Sequence, residues 1–327
     1  MPTYNGNLSL LDLVTLQGND PLTGLIEDVT TYAPEFSQVP VQVKSGITYK
    51  IAKRTALPPS GFRQVNQGIG TSKSAYKQEV KEMYPLDVII NVDEMIWKGD
   101  DESVGDVLTK EAQGALQSVI ITLGAQFYYG TSNDPNGFSG IRAQISNTVQ
   151  AGGTTGSTSC YAAWLHPWGV NFPIGRKGEI AMPPFNRQQI AVTNPGASTT
   201  SNFFAWVSNI SAFIGLTVGS NYSVWNVGGI TTVNATAGIY TQALTDRLAA
   251  SLLALIPLNR RQGLVWFMNR NSHFLLQQSR TTIQATAGAG SYQVAGPGGT
   301  PAWPAPPDMM LGFPIIVTDS ITNSESN

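Results

Sequence analysis

Charge is the scarcest ingredient of this 327-residue sequence: Asp, Glu, Lys and Arg make up 12% of it, against about 25% in an ordinary globular protein. A surface so poor in charge is either clothed in Ser, Thr, Asn and Gln or buried in contacts with other chains, and assembly is the expectation. Cysteine is nearly absent. With Cys160 alone no intrachain disulfide can form, so the fold stands without covalent staples. The two histidines, His166 and His273, lie far apart, and with one cysteine they cannot build a four-ligand metal site. The formal net charge of −2 lacks the basic excess of nucleic-acid and anionic-membrane binders. No window approaches the roughly 18 uninterrupted apolar residues of a membrane helix. The start MPTYNGNLSLLDLVTLQGND lacks the pattern of a secretory signal, so intracellular synthesis is expected.

Apolar residues are plentiful, at 42%, enough for a sizeable core in one large domain or two ordinary ones. Residues 1–43 hold short apolar patches broken by Gly18, Pro21, Gly24, Pro34 and Pro40, and read as an arm. Alternation in ITYKIA, a turn at LPPSG and a polar continuation through QEVKE predict an extended hairpin over 44–84. Charge is segregated here. Lys44, Lys50, Lys53, Arg54, Arg63, Lys73, Lys77 and Lys81 face only Glu79 and Glu82 across residues 44–82. Residues 83–111 then carry Asp87, Asp93, Glu94, Asp100, Asp101, Glu102, Asp106 and Glu111 against Lys98 and Lys110. Two such blocks can neutralise each other within one chain or between neighbouring chains.

A helix is predicted over 103–128: Ser103 as N-cap, acids near the first turn, and a stripe of Val104, Val107, Leu108, Ala112, Ala115, Leu116, Val119, Ile120, Leu123 and Phe127. Residues 142–240, rich in Gly, Thr, Ser and Asn, predict short strands. A second helix capped by Thr241 and striped by Leu244, Leu248, Leu252 and Leu255 stops at Pro257. LVWFMN predicts a buried strand, NSHFLLQQS a short helix capped by Asn271, and GFPIIVTD a closing strand. Interleaving without regular βαβ spacing makes the class α+β.

Candidate chemistry is thin. Neither histidine neighbours a nucleophile motif, and FSG at 138–140 is not a G-x-S-x-G elbow. Asp93 with Glu94, or Asp100 with Asp101, are ordinary solvated or dipole-facing acids rather than an acid–base pair. The stretch QFYYGTSNDPNGFSGI is a candidate ligand loop. Aligned as a calcium loop it puts Ala143 where a bidentate Glu is required, with Pro135 intruding. No lysine lies between Lys110 and Lys177 for a phosphate loop. It reads as a turn: Gly130 ends the helix, Asp134-Pro135-Asn136-Gly137 reverses the chain, and Gly140 precedes the return of Ile141 to the core. No catalytic residue, cofactor or metal is expected.

Six pieces in order resemble the major capsid proteins of tailed bacteriophages, the Hong Kong ninety-seven-like shell fold, and within it the short-tailed-phage branch. They are LPPSGFRQVNQGIG, VIINVDEMI with the 103–128 helix, QFYYGTSNDPNGFSGI, FPIGRKGEI with the later FAWVSNISAFIGLTVGSNYSVWNVGGI, WFMNRNSHFLLQQS, and LGFPIIVTDSI. Trp225 stands where an arginine is often seen in that branch. The resemblance implies an N-terminal arm (1–43), an extended loop (44–84), a peripheral domain (85–161), an axial domain with a β-rich insertion (162–256) and a return to a peripheral-domain strand (257–327). It implies a non-enzymatic subunit that tiles hexamers and pentamers into an icosahedral shell around double-stranded DNA without sequence recognition, in the virion, after assembly in the bacterial cytoplasm. Portal, scaffold and cement proteins are the further partners it implies, and no membrane. A loop reaching over a neighbour would bring Lys53, Arg54, Leu57, Phe62 and Arg63 against Asp93, Glu94, Asp100, Asp101 and Glu102 of an adjacent subunit. Two other readings are an encapsulin-type compartment, which shares the fold, and a β-rich carbohydrate-binding protein or hydrolase. The latter fits poorly, since residues 142–240 contain a single acid, Glu179.

Overall fold

The computed structural model describes residues 29–99, 105–145, 147–153, 157–193, 200–231, 242–286 and 306–325. In chain order the elements are α1 (Glu35–Gln38), β1 (Val41–Val43), β2 (Thr48–Ala56), β3 (Ala75–Glu82), β4 (Tyr84–Asp93), α2 (Glu94–Gly99) and α3 (Gly105–Tyr129). There follow β5 (Asn147–Gln150), β6 (Ser157–Trp164), β7 (Val170–Ile174), β8 (Ile180–Ala181), β9 (Asn186–Thr193), β10 (Thr200–Ile214), β11 (Thr217–Val218) and β12 (Val224–Thr231). The chain closes with α4 (Asp246–Leu255), β13 (Leu264–Met268), α5 (Arg270–Thr286), β14 (Met309–Met310) and β15 (Phe313–Val317).

These form two sheets and a separate hairpin. One sheet runs β1-β7-β10-β4, with β8 and β9 on β10 and β11 on β7; the other runs β14-β15-β13-β6-β12-β5; among the described residues β2 pairs only with β3. The second sheet is covered on both faces. Tyr161 and Ala163 of β6 and Val265 and Phe267 of β13 face the cluster that holds the end of α3 and the first sheet. The alternate residues Cys160, Ala162, Trp164, Leu264, Trp266 and Met268 face a second cluster, under α4 and α5. Covered strands need no polar face, which is why LVWFM reads as an uninterrupted apolar run. In β12 a register shift between Val227 and Ile230, at Gly228-Gly229, lets both residues face the second cluster despite their odd spacing. Cys160 is fully buried, and burial pushes its thiol well above the ordinary range, leaving it inert.

The long helix is present, about 37 Å in 25 residues, but its expected continuous stripe is not. Val119, Leu123 and Phe127 sit in the central cluster, and Val107 and Leu108 pack with Val92 and Ile96 at the other end. Leu116 between them is 50% exposed. Among the described residues the helix is buried toward its two ends and only partly covered between them. Ser103 and Val104 lie outside the described residues.

Two local expectations are corrected. Thr245, not Thr241, caps α4, its hydroxyl accepting from Leu248 N at 3.3 Å; Thr241 lies outside the described residues. Leu255 ends that helix 48% exposed. Asn269, not Asn271, caps α5: its Oδ1 accepts from Ser272 N at 2.8 Å, and the helix continues to Thr286. Long-range pairing ties distant segments together: β10 pairs with β4 along the length of β4, and β15 lies beside β13 in the other sheet.

The described part of the arm is tied to the C-terminal tail. Tyr32 N donates to Asp319 Oδ2 and Asp319 N donates to Tyr32 O, both at 2.9 Å. Buried Glu35 accepts from Thr318 Oγ1 and, at 3.4 Å, from Ser320 Oγ. Burial pushes the Glu35 carboxyl above the ordinary glutamate range, and the Thr318 hydroxyl offsets only part of this. The unfolded chain therefore loses this proton at lower pH than the folded one. Stability is fully present below the ordinary glutamate range and declines as pH rises through the folded value. Glu35→Gln should flatten that decline, read as urea midpoints from about pH 4 upward; an unchanged slope in the variant would exclude Glu35 as its source.

Candidate assembly interface

From Pro40 to Glu82 no residue is buried. The segment is held by backbone pairing of Thr48↔Glu82 through Arg54↔Tyr76, by Met83 N donating to Ile47 O at 2.8 Å, and by contact of Tyr49 and Thr217 hydroxyls at its base. A lone two-stranded hairpin is marginal in water, and this one has no core of its own. At its tip Leu57 is 72%, Phe62 110% and Val65 88% exposed.

The expected contact residues divide into two groups. Lys53 is engaged across the hairpin, Nζ to Glu79 Oε2 at 2.7 Å, with Lys77 and Lys81 also near Glu79. The Lys53 hydrogen bond is the chief reason the Glu79 carboxyl is held below its usual range. Glu94 is held by Arg187 and Lys98, each at 2.9 Å, and Asp93 Oδ1 accepts from Met95 N at 2.8 Å as the cap of α2. Arg54 lies over the Tyr76 ring, and Arg63 donates to Gln67 O at 2.8 Å, closing the tip turn. Neither arginine makes an ion pair among the described residues, and both are exposed. Asp100, Asp101 and Glu102 lie outside the described residues.

Beside the hairpin lies a cleft of about 940 Å³ that sequence reasoning missed, lined by Lys44, Lys50, Arg54, Trp168, Tyr222 and Arg260 among others. The run AWLHPWG held the only signal. Trp164 is buried, His166 stacks on it with ring centroids 4.5 Å apart, Arg260 lies 4.0 Å from its ring centre, and Trp168 is left 77% exposed.

The QFYYGTSNDPNGFSGI stretch forms a corner. Gly130 turns at φ +55° and packs backbone to backbone against Gly140. Asp134 Oδ1 accepts from Asn136 N at 2.9 Å, across Pro135. Gln126 Nε2 donates to Phe138 O at 2.8 Å and Asp134 O at 3.2 Å, beneath Gly137. The loop oxygens serve the turn. Among the described residues no group of three or more His, Cys, Asp or Glu gathers as metal ligands, and no helix is long and apolar enough to cross a membrane.

The whole of this chain overlays 99% of a chain from bacteriophage Epsilon15, with a TM-score of 0.65 at 16% identity, so the two share a fold. The chain belongs to the major capsid protein GP7 family, whose model matches residues 38–327. Two further similar structures are the bacteriophage JBD30 capsid, 11% identical over 94% of this chain and 97% of that one with a TM-score of 0.49, and Mycobacterium phage Adephagia, 11% identical over 68% and 98% with a TM-score of 0.46. No curated protein sequence matches. The protein is thus a tailed-phage major capsid protein, a shell subunit of the virion that assembles in multiple copies.

Proposed function

We propose that this subunit tiles as hexamers and pentamers into a closed icosahedral shell around double-stranded DNA, as a structural element without catalytic activity, built in the bacterial cytoplasm with portal, scaffold or cement proteins as further partners. The hairpin reaches a neighbouring subunit, its tip residues Leu57 and Phe62 providing apolar contact and Arg54 and Arg63 the charge. The observation that carries this is the unburied hairpin: each of its large apolar tip residues gains about 1.5–3 kcal/mol only when another chain covers it. Lys53, Asp93 and Glu94 already have roles within the chain, so their contribution across the interface is chiefly to hold its shape. The near-neutral net charge of −2 suits containment of DNA without gripping it.

Electron microscopy of the purified protein should show closed particles. Phe62→Ser should leave the melting temperature of the unassembled subunit unchanged, because the side chain has no contacts to lose, while particle yield collapses. Normal particles from Phe62→Ser would remove the hairpin tip from the assembly contacts.

A further inference from the structure

The net charge of −2 conceals a local excess of cations in the cleft between the hairpin and the body of its own subunit. The hydroxyls of Tyr49 and Thr217 touch, which marks the face of the hairpin that looks toward the body. By the period of two and the register Ile51↔Glu79 and Lys53↔Lys77, the side chains of Lys53, Lys77 and Glu79 share that face. Lys44 Nζ lies 4.6 Å from the Tyr49 ring centre, and Arg260 joins the lining from the body, where it lies over the Trp164 ring. These four cations stand against one carboxylate, a net of three positive charges in about 940 Å³. Glu79 is already engaged by Lys53 at 2.7 Å, while Lys44 and Arg260 lie over aromatic rings rather than beside carboxylates.

The body's side of the cleft carries two exposed rings, Trp168 and Tyr222, on a braced rim. Gly169 N donates to His166 O and Gly219 N to Gly169 O, both at 2.8 Å, which ties the two loops together. Gln42 Nε2 and Asn171 Nδ2 donate to Pro167 O at 2.7 and 2.9 Å. The His166 ring, stacked on Trp164, meets Trp168 edge-on at 5.4 Å. The Trp168 ring is therefore held out by fixed neighbours and left largely uncovered. A basic groove that tracks phosphates, with aromatic faces beside it for bases, is how single strands are held without sequence preference. A duplex keeps its base faces stacked inside and cannot offer them to Trp168 and Tyr222, and an acidic peptide brings charge without a base to stack.

We propose that this cleft binds single-stranded nucleic acid without reading its sequence, its phosphates on Lys44, Lys53, Lys77 and Arg260 and its bases on Trp168 and Tyr222. The first three cations belong to the hairpin segment, and Arg260 and the two rings belong to the body. A bound strand thus bridges the two and steadies a hairpin that has no core of its own. The site needs one subunit and no neighbour, so it stands apart from the assembly reading.

Fluorescence anisotropy of a labelled oligothymidylate of about 10 nucleotides, titrated with the unassembled subunit, tests it. Log affinity should fall with log salt at a slope of about −2, as three contacts to a single strand give at about −0.7 each. Trp168→Ala should weaken binding roughly 5- to 150-fold, the loss of one stacked base, and Trp168→Phe should recover most of it. Lys44→Gln with Lys77→Gln should flatten the slope to about −0.7; this pair removes charge without removing a buried side chain, so it decides the matter even where Trp168→Ala fails to fold. As a second measurement, the oligothymidylate should slow trypsin cleavage of the hairpin in the wild type and not in Trp168→Ala. Absence of binding, equal affinity for the annealed duplex, or a salt slope unchanged in the double lysine variant would each overturn the assignment. Polyglutamate that displaces the oligothymidylate and binds more tightly would overturn it in favour of an acidic protein segment.

Discussion

Gly140→Val should yield no soluble folded protein. A Cβ at Gly140 would fall on the carbonyl oxygen of Tyr128 and 2.6 Å from the backbone N of Gly130, and neither backbone atom can rotate away. The corner is where α3 ends and Phe138 and Ile141 re-enter the central cluster, at 5% and 0% exposure, so the clash transmits to the core. An effect well above 4 kcal/mol is expected, a large share of the 5–15 kcal/mol that stabilises a typical domain. Gly130→Val should match it, because its φ of +55° adds backbone strain to a Cβ 2.8 Å from Ser139 C. Gly137→Val should be milder, since the obstacle is the Gln126 side chain, 2.8 Å away at Cδ, whose hydrogen bonds to Phe138 O and Asp134 O would be disturbed. Asp134→Asn should change stability by under about 1 kcal/mol, because an amide oxygen can still accept from Asn136 N. Expression level and urea midpoints check the series; a folded, wild-type-like Gly140→Val would show that the corner can open.

Phe127→Ala should cost about 3–5 kcal/mol. Phe127 is fully buried, and its ring lies 5.5 Å from Phe172 of β7 and 5.8 Å from Phe267 of β13. It therefore touches both sheets at once, and no other packing replaces a side chain at that junction cheaply. Because the cavity opens between the sheets, the urea transition should also lose cooperativity. Trp225 and Trp266, which sit under α4 and α5, should report a transition offset from that seen by circular dichroism. Phe127→Leu should recover most of the loss. A single sharp transition within 1 kcal/mol of wild type would show that the sheets do not depend on this contact.

Much of the local structure was legible. The alternation of ITYKIA and the LPPSG turn correspond to β2 and the hairpin tip, LVWFMN to β13, and GFPIIVTD to β15. The Asp-Pro-Asn-Gly turn was readable because its chemistry is confined to neighbouring residues. The cap of α5 is different: the local pattern points to Asn271, whereas Asn269 caps the helix in the structure. Tertiary bonds hold Asn269 in that place: its Nδ2 donates to Thr158 Oγ1 at 3.0 Å and to Asn323 Oδ1 at 2.6 Å.

The sequence by itself determined the periods of the elements, the turn that ends the long helix, and the segregation of cations into one block and acids into the next. Those features depend on residues within a few positions of one another. Only the tertiary structure decided that Leu116 is half exposed among the described residues, that β10 joins β4, and that Trp168 flanks a basic cleft. Periodicity says which residues share a face, and composition says which charges seek partners. What covers the face and which partner lies within reach depend on the path of the chain between them.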